Sequence, residues 1–473
     1  MYPHLLGLAV PLLIEPLVRA PYLTIARWLR DFSSWPEERR RAYQQSRLRD
    51  IIRYAAEHVP FYRTLLGGRN LSGIRLADLP VIDKCRIRQD MDAFHGEHWA
   101  RIPHITKESS GTTGEPFRYP LDRQAWAHIY AAMLHFWERE GYQYGERVVM
   151  LGSPTTLARG NTWKVWLRNM MERHVFSAAG IDIDDATSLR RAMLASAAQG
   201  ALWYGYAGTI AAMADAVATE GAPLTGPRLI VTTAEALRPE WRRRIETVFG
   251  APVFDQYGCN DGGMMSQTCR RGRFHVAENV SILEILDGEN PCPPGVEGDV
   301  TVTNLHARVL PFLRYQVGDR AVLGEGPCPC GRPGVTLERV AGRKAERLML
   351  PDGTELSSAP TSYVFERTHN VRRWQIVQTD PRHITVRLDV GPGYDEKEGR
   401  AIIEDLEKLC GQALMVTLST SEPITLTRAG KHLLVIRAFE ERDQTTPTRT
   451  GRVGCEQKEH QVMTSMKPEG TQQ

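Results

Sequence analysis

Six consecutive residues, Ser109-Ser110-Gly111-Thr112-Thr113-Gly114, carry four hydroxyl groups and two glycines. Glycine lets backbone N–H groups approach an anion closely, because it lacks Cβ and accepts positive φ. Serine and threonine add hydroxyl donors. A loop of this composition is suited to surround phosphate oxygens. No Gly-Lys-Ser/Thr follows, so it is not a Walker loop. A polar surface turn would have the same composition, and the rest of the chain must decide between the two.

A second constellation holds soft ligands. Cys269 and His275 are followed by Cys328-Pro329-Cys330-Gly331. Three thiols and an imidazole fit a structural, tetrahedral zinc site. Cys259 is a competing fourth ligand in place of His275. Unrelated reduced thiols and a core histidine are the alternative.

The elements that must position these residues follow from periodicity. Residues 20–66 read as a helical arm, with a helix start at Trp35-Pro36-Glu37-Glu38 and a break at His58-Val59-Pro60. After the Ser/Thr/Gly loop comes a long helix with a stripe of Trp126, Ile129, Tyr130, Met133, Leu134 and Trp137. Core packing is the expected use of that stripe. A buried strand is predicted at 147–151. From residue 201 the pattern alternates, with strands at 201–206, 229–233 and 253–256 and helices at 209–219 and 239–249. Alternation of this kind predicts a parallel sheet with helices on its faces. Ligands in such sheets bind at the carboxyl ends of strands. Those ends carry Thr232-Thr233-Ala234-Glu235 and Tyr257-Gly258-Cys259-Asn260-Asp261. Residues 280–323 read as a β-rich subdomain, with strands at 280–286, 298–303 and 312–315. Beyond Ala341-Gly342-Arg343, strands at 374–379, 384–388 and 413–419 and a helix at 396–409 predict a small α+β domain. After residue 440 the chain is polar and is expected to be a disordered tail.

At 473 residues the chain is long enough for two or three domains. Its 42% hydrophobic and 24% charged residues are ordinary for a globular protein. A net charge of +3 argues against a nucleic-acid partner. Residues 5–18 are apolar but interrupted by Pro11, Glu15 and Pro16, too short and broken to span a bilayer. Eight cysteines without a dense framework favour a reducing cytoplasm.

Taken in order, the motifs resemble the adenylate-forming (acyl-AMP) enzymes. Within them the chain is most similar to the phenylacetate–CoA ligase branch, which includes the CapK-type capsule-biosynthesis proteins. The resemblance covers roughly residues 35–440 and includes Gln45-Ser46-Arg47-Leu48 and His58-Val59-Pro60-Phe61-Tyr62-Arg63. It implies that Ser109, Ser110, Gly111, Thr112, Thr113 and Gly114 hold the β and γ phosphates of ATP, with Thr113 among the catalytic residues. Phe117 stands where the family often has a cation, which leaves neutralisation to Arg118 or to Mg2+. Thr232 to Glu235 resembles the segment bordering the adenine and acyl pockets, so Glu235 is expected at the nucleotide. Tyr257 to Asp261 resembles Tyr-Gly-x-x-Glu: Tyr257 and Gly258 would flank the nucleotide and Asp261 would bind magnesium. Tyr315-Gln316-Val317-Gly318-Asp319 resembles Tyr-Arg-Thr-Gly-Asp, with Asp319 accepting from the ribose hydroxyls. Gly342-Arg343-Lys344-Ala345-Glu346 resembles the Gly-Arg-x-Asp-Asp hinge: Arg343 matches, while Ala345 and Glu346 stand where the two acids would be. Thr427-Arg428-Ala429-Gly430-Lys431 resembles the C-terminal loop whose lysine swings into the site for adenylation.

The resemblance implies an α/β fold. It has a large AMP-binding domain over residues 1–342, with a mostly parallel sheet and a β-rich subdomain. A small mobile α+β lid domain follows over 343–440, then a tail over 441–473. It implies ATP-dependent activation of a carboxylic acid and transfer to coenzyme A, with ATP, Mg2+ and structural Zn2+ as cofactors. An amine or hydroxyl acceptor, in polysaccharide or secondary-metabolite assembly, is the alternative. So is a catalytically silent nucleotide-binding scaffold. The acyl pocket is expected around residues 203–207, Ala234 and Glu235, with Gly262-Gly263 leaving open space beside Asp261.

Overall fold

The computed structural model describes residues 12–13, 15–109, 117–151, 174–177, 202–220, 226–259, 261–343, 347–357, 361, 364–365, 368, 370–391, 393–425 and 432–439. Expectations for 110–116, Asn260, 344–346, Lys431 and the tail therefore lie outside the described residues.

A hairpin of β1 (His104–Ser109) and β2 (Phe117–Asp122) comes first, and its register pairs Ser109 with Phe117 at the base of the Ser/Thr/Gly loop. One twelve-stranded sheet dominates the rest of the larger lobe. Its parallel part is β3 (Val148–Leu151), β4 (His174–Ser177), β5 (Leu202–Tyr206), β6 (Leu229–Thr233) and β7 (Val253–Gly258). Alternate residues of these strands feed two different cores, as a sheet covered on both faces requires. Val148, Leu202, Leu229 and Val231 pack towards helices Tyr22–Phe32 and Arg123–Arg139. Val149, Leu151, Trp203 and Ile230 pack towards helices Ala207–Glu220 and Pro239–Phe249.

The β-rich region is an antiparallel continuation of the same sheet. β8 (Met265–Thr268) and β9 (Phe274–Val276) follow β7. β10 (Ser281–Asp287), β11 (Asn290–Pro291), β12 (Glu297–Asn304), β13 (Tyr315–Leu323) and β14 (Thr336–Arg343) complete it, in the order β11-β10-β12-β13-β14-β9-β8-β7-β6-β5-β3-β4. The expected strand at 312–315 begins only at Tyr315, because Arg314 has φ +48° and breaks the extended run before it. Helices Glu37–His58 and Pro60–Leu66 pack on this region, with Val59 alone between them. The Trp126 stripe is core: Trp126 and Tyr130 stack on each other and meet Tyr22 edge-on.

A short hairpin, β15 (Arg347–Met349) with β16 (Glu355–Ser357), precedes the C-terminal sheet. That sheet has the order β19-β18-β17-β20, formed by β17 (Val371–Asp380), β18 (His383–Val390), β19 (Met415–Ser419) and β20 (Val435–Arg437). Helix Glu396–Leu409 packs on it and is capped by Asp395, whose carboxylate accepts from the Lys397 and Glu398 N–H groups. Among the described residues no helix is long and apolar enough to cross a membrane.

Candidate active site and metal centre

Three strands lie between β7 and β13 in the sheet, so four inter-strand steps, about 19 Å, would separate them if the sheet were flat. The Tyr257 hydroxyl nevertheless donates to Asp319 Oδ2 at 2.8 Å. The sheet therefore twists and curls until the end of β7 meets the Gly318-Asp319 turn within β13. Arg343 joins them from β14, where it is the direct register partner of Asp319, its Nε 3.8 Å from Oδ1. Gly318 and Gly342 both have positive φ, which suits glycine: Gly318 lies at the register shift between β12 and β13, and Gly342 beside one between β13 and β14.

A second tyrosine–carboxylate pair lies alongside. The Tyr315 hydroxyl donates to Asp261 Oδ2 at 2.8 Å. Burial pushes the Tyr257 and Tyr315 hydroxyls well above their ordinary range, and the Asp319 and Asp261 carboxylates add to the effect. Both phenols therefore stay protonated and act as donors. Tyr119 of β2 is shifted the same way, by burial and then by Asp261. A run of rings connects the base of the Ser/Thr/Gly loop to this acid: Phe117 stacks on Tyr119, Tyr119 meets Phe312, and Phe312 meets Tyr315, with centroids 4.9–5.4 Å apart. Arg118 lies on the other face of β2, exposed, 3.4 Å from Glu108.

Gly262 and Gly263 do not leave open space. Both have positive φ, and a Cβ at Gly262 would strike Val302, while one at Gly263 would sit 2.5 Å from Asn304 Nδ2 and 2.9 Å from Ile129 Cδ1. They are glycines because the turn after Asp261 is packed tightly. Trp203 is likewise core, edge-on to Phe249, rather than pocket wall. Tyr204 faces the other side of β5, where it accepts from Gln256 and leans on Trp137.

Glu235 follows Ala234, which is itself left-handed at φ +68°. One Glu235 oxygen accepts from the Gly208 N–H at 2.9 Å, and the other accepts from the His432 N–H at 3.1 Å. The carboxylate thus bridges the larger lobe to the residue after Lys431.

The sulfur constellation assembles at the far end of β8. Cys269 lies three residues beyond Ser266, the register partner of Tyr257, roughly 10 Å further along the chain. Ligand atoms of Cys269, His275, Cys328 and Cys330 all lie within 4.8 Å of one another. Cys269 Sγ is 3.7 Å from Cys328 Sγ, too far for a disulfide. It matches the edge of about 3.8 Å that tetrahedral geometry gives for Zn–S bonds of about 2.3 Å. Cys330 Sγ is 3.2 Å from His275 Nε2. Burial, then Arg139 and Arg332, push His275 down to about 4, which keeps it in the neutral form that ligates metal. The Cys330 thiol is lowered: burial opposes this, but the Arg332 backbone and neighbouring sulfurs outweigh it. Cys259 is not part of the cluster. It lies half-buried beside Asp261 and Asp319, and desolvation, then these carboxylates, hold its thiol well above the ordinary range.

Sequence comparison agrees with this geometry. Residues 348–438 match the CapK C-terminal domain. The chain is 29% identical over 353 residues to a phenylacetate-coenzyme A ligase of Thermus thermophilus, covering 68% of this chain and 74% of the relative. It is 22% identical over 364 residues to Protein CapK of Staphylococcus aureus, covering 75% and 79%. Among solved structures, 2-hydroxyisobutyryl-CoA ligase in the postadenylation state with an acyl-AMP superposes with a TM-score of 0.67 at 18% identity, over 86% of this chain and 90% of that one. The same ligase in its thioesterification state gives 0.56 at 18% identity, over 85% and 91%. The fold and motif order are those of the adenylate-forming enzymes. In sequence the chain is similar to phenylacetate-coenzyme A ligase and to CapK, and its C-terminal residues 348–438 match the CapK C-terminal domain.

Proposed function

We propose that this chain is an ATP-dependent acid ligase that forms an acyl-AMP and transfers the acyl group to coenzyme A. The observation that carries the reading is the convergence of Tyr257, Asp319 and Arg343, from three separate motifs, with Tyr315 and Asp261 beside them. In the first half-reaction a carboxylate oxygen attacks the α-phosphorus of ATP. An O–P bond forms, the bond to the pyrophosphate breaks, and pyrophosphate leaves. In the second, the coenzyme A thiol sulfur attacks the acyl carbon, its proton is lost, and AMP leaves. Little covalent work falls to the protein, so its task is alignment and charge dispersal.

Asp319 is the acceptor for the ribose hydroxyls, with its carboxylate plane fixed by Tyr257 and Arg343. An ionised carboxylate, acceptor-only with two oxygens, suits a vicinal diol. Asp261 is the residue that would hold Mg2+. Its Oδ2 is engaged by Tyr315, and no described residue bonds Oδ1, leaving a hard oxygen for the cation. Magnesium, when bound, supplies neutralisation of the phosphate charge. Residues Ser109 to Gly114, with Thr113, form the phosphate cradle, and Lys431 supplies a mobile positive charge to the adenylation step. Residues 343–440 act as the lid that changes position between half-reactions. Cys269, His275, Cys328 and Cys330 hold a structural zinc ion, a reading supported by their donor set and spacing. The seven described cysteines are all unbridged, which supports a reducing compartment.

Acid-dependent exchange of labelled pyrophosphate into ATP, followed by a coenzyme A-dependent thioester assay, tests the reading. Exchange without thioester formation would move the acceptor to an amine or hydroxyl. ATP binding without exchange for any acid would favour the silent scaffold.

A further inference from the structure

Arg238 has no part in the site as described, yet it stands where the two lobes meet. It is the residue before helix Pro239–Phe249 and is buried. Its guanidinium carbon lies 4.2 Å from the Trp241 ring centroid and 4.8 Å from that of Trp374. Trp241 belongs to the same helix, and Trp374 lies on β17 of the C-terminal lobe. The cation is thus held between one indole from each lobe. Trp374 is itself fixed by stacking on Phe365, at 4.1 Å and 12°. The carboxylate paired with Arg238, that of Glu240, is at the 4.0 Å limit of an ion pair, so rings rather than a close acid hold the guanidinium. Burial draws Arg238 down to about 10, which still leaves it charged at neutral pH.

Arg238 also reaches the residue beside Lys431. Its Nη2 is 3.5 Å from His432 Nδ1. A guanidinium only donates, so Nδ1 accepts. The His432 backbone N–H meanwhile donates to Glu235. From within the C-terminal lobe, Gln375 ties down both flanks of 426–431. Its Nε2 donates to the carbonyls of Thr425 and Leu433 at 2.8 and 3.0 Å, and its Oε1 accepts from the Thr425 N–H at 3.0 Å. The flanks of the Lys431 segment are therefore fixed to the small lobe by Gln375 and to the large lobe by Glu235 and Arg238.

We propose that Arg238 is a positioning residue for adenylation: by docking Trp374 and His432 it seats the C-terminal lobe so that Lys431 is presented to the nucleotide. This rests on the acid–CoA ligase reading. A cation between two rings suits a joint that must open at every turnover. It avoids the stranded buried carboxylate that breaking an ion pair would leave. Release of Trp374 and His432 would then accompany the passage to thioester formation.

The test uses full-length Arg238→Met, which keeps volume and removes charge, and Arg238→Lys, which keeps charge and removes the planar stack. Each half-reaction is measured separately, with supplied acyl-AMP for the second, and hydrogen exchange is followed over 371–379 and 432–439. The expected result for Arg238→Met is a fall of about tenfold or more in adenylation kcat, with KM for ATP within about threefold. Thioester formation from supplied acyl-AMP is retained, and exchange at 432–439 becomes faster. Arg238→Lys falls between the two. Adenylation held within about twofold of the parent, or equal loss of both half-reactions, overturns the proposal. If the parent protein adenylates no acid, the ligase reading fails. The exchange arm still decides whether Arg238 docks the lobe: faster exchange supports docking, and unchanged protection overturns it.

Discussion

Tyr257 and Asp319 are 62 positions apart in the sequence and 2.8 Å apart in space. Removing the phenol frees one oxygen of the carboxylate that is proposed to read the ribose. Tyr257→Phe should therefore raise KM for ATP by about tenfold to a hundredfold, the worth of one hydrogen bond to a charged group, with kcat less affected. Asp319→Asn should cost more in kcat/KM than Tyr257→Phe; the reverse order would remove Asp319 from the nucleotide. At the cysteine cluster, protein purified without chelator should carry close to one equivalent of zinc, and less than about 0.3 equivalents would sink the assignment. Asp261, Asp319, Arg343 and the four zinc candidates could be named from residue types in order; the structure brings Asp319 within 3.8 Å of Arg343 and gathers the four zinc candidates within 4.8 Å of one another. What the Tyr315 hydroxyl does was not legible, because its partner Asp261 lies 54 positions away in the sequence. Nor was Arg238, since a single arginine before a helix carries no pattern.

At the scale of elements, the strand over Leu229–Thr233 and the helices over Pro239–Phe249 and Glu396–Leu409 coincide with their expected bounds. Strong periodicity and clean punctuation by Gly and Pro made them readable. The β1–β2 hairpin was missed. It is a two-stranded ribbon with Pro120 inside β2, a residue that argues against a central strand but is tolerated at an edge. Strand β13 was misplaced because of Arg314, whose position depends on long-range partners. Its buried guanidinium donates to Glu284 and to the carbonyls of Leu79 and Glu289. The backbone beside it bonds to Ile82 on either side, which sets where Tyr315 begins the strand. Arg314→Ala strands the Glu284 carboxylate and two carbonyl acceptors, so a loss of about 3 kcal/mol or more is expected, read as a fall in Tm. A Tm within a degree of the parent would show that the anchor is dispensable.

Across the whole molecule, buried histidines set the response to acid. Burial depresses His135 and His432 to about 3 and His306 to about 4, and holds His128 well below its ordinary value. Each binds a proton more readily once unfolded. The stability each contributes is complete above the unfolded value of about 6.5 and is lost as pH falls from there towards the folded value. Tm should therefore drop steeply between about pH 6.5 and pH 4, and a flat profile there would contradict the depressed values. Division of labour between the lobes makes a second prediction. Lys431→Ala should suppress adenylation while sparing thioester formation from supplied acyl-AMP, and equal loss of both would remove the lysine from the first half-reaction.

The most direct test of the account is exchange of labelled pyrophosphate into ATP against a panel of aryl, short-chain and fatty acids. Exchange should require both Mg2+ and one class of carboxylic acid, and should fall in Asp319→Asn and Lys431→Ala. Tight ATP binding with no exchange for any acid would contradict it.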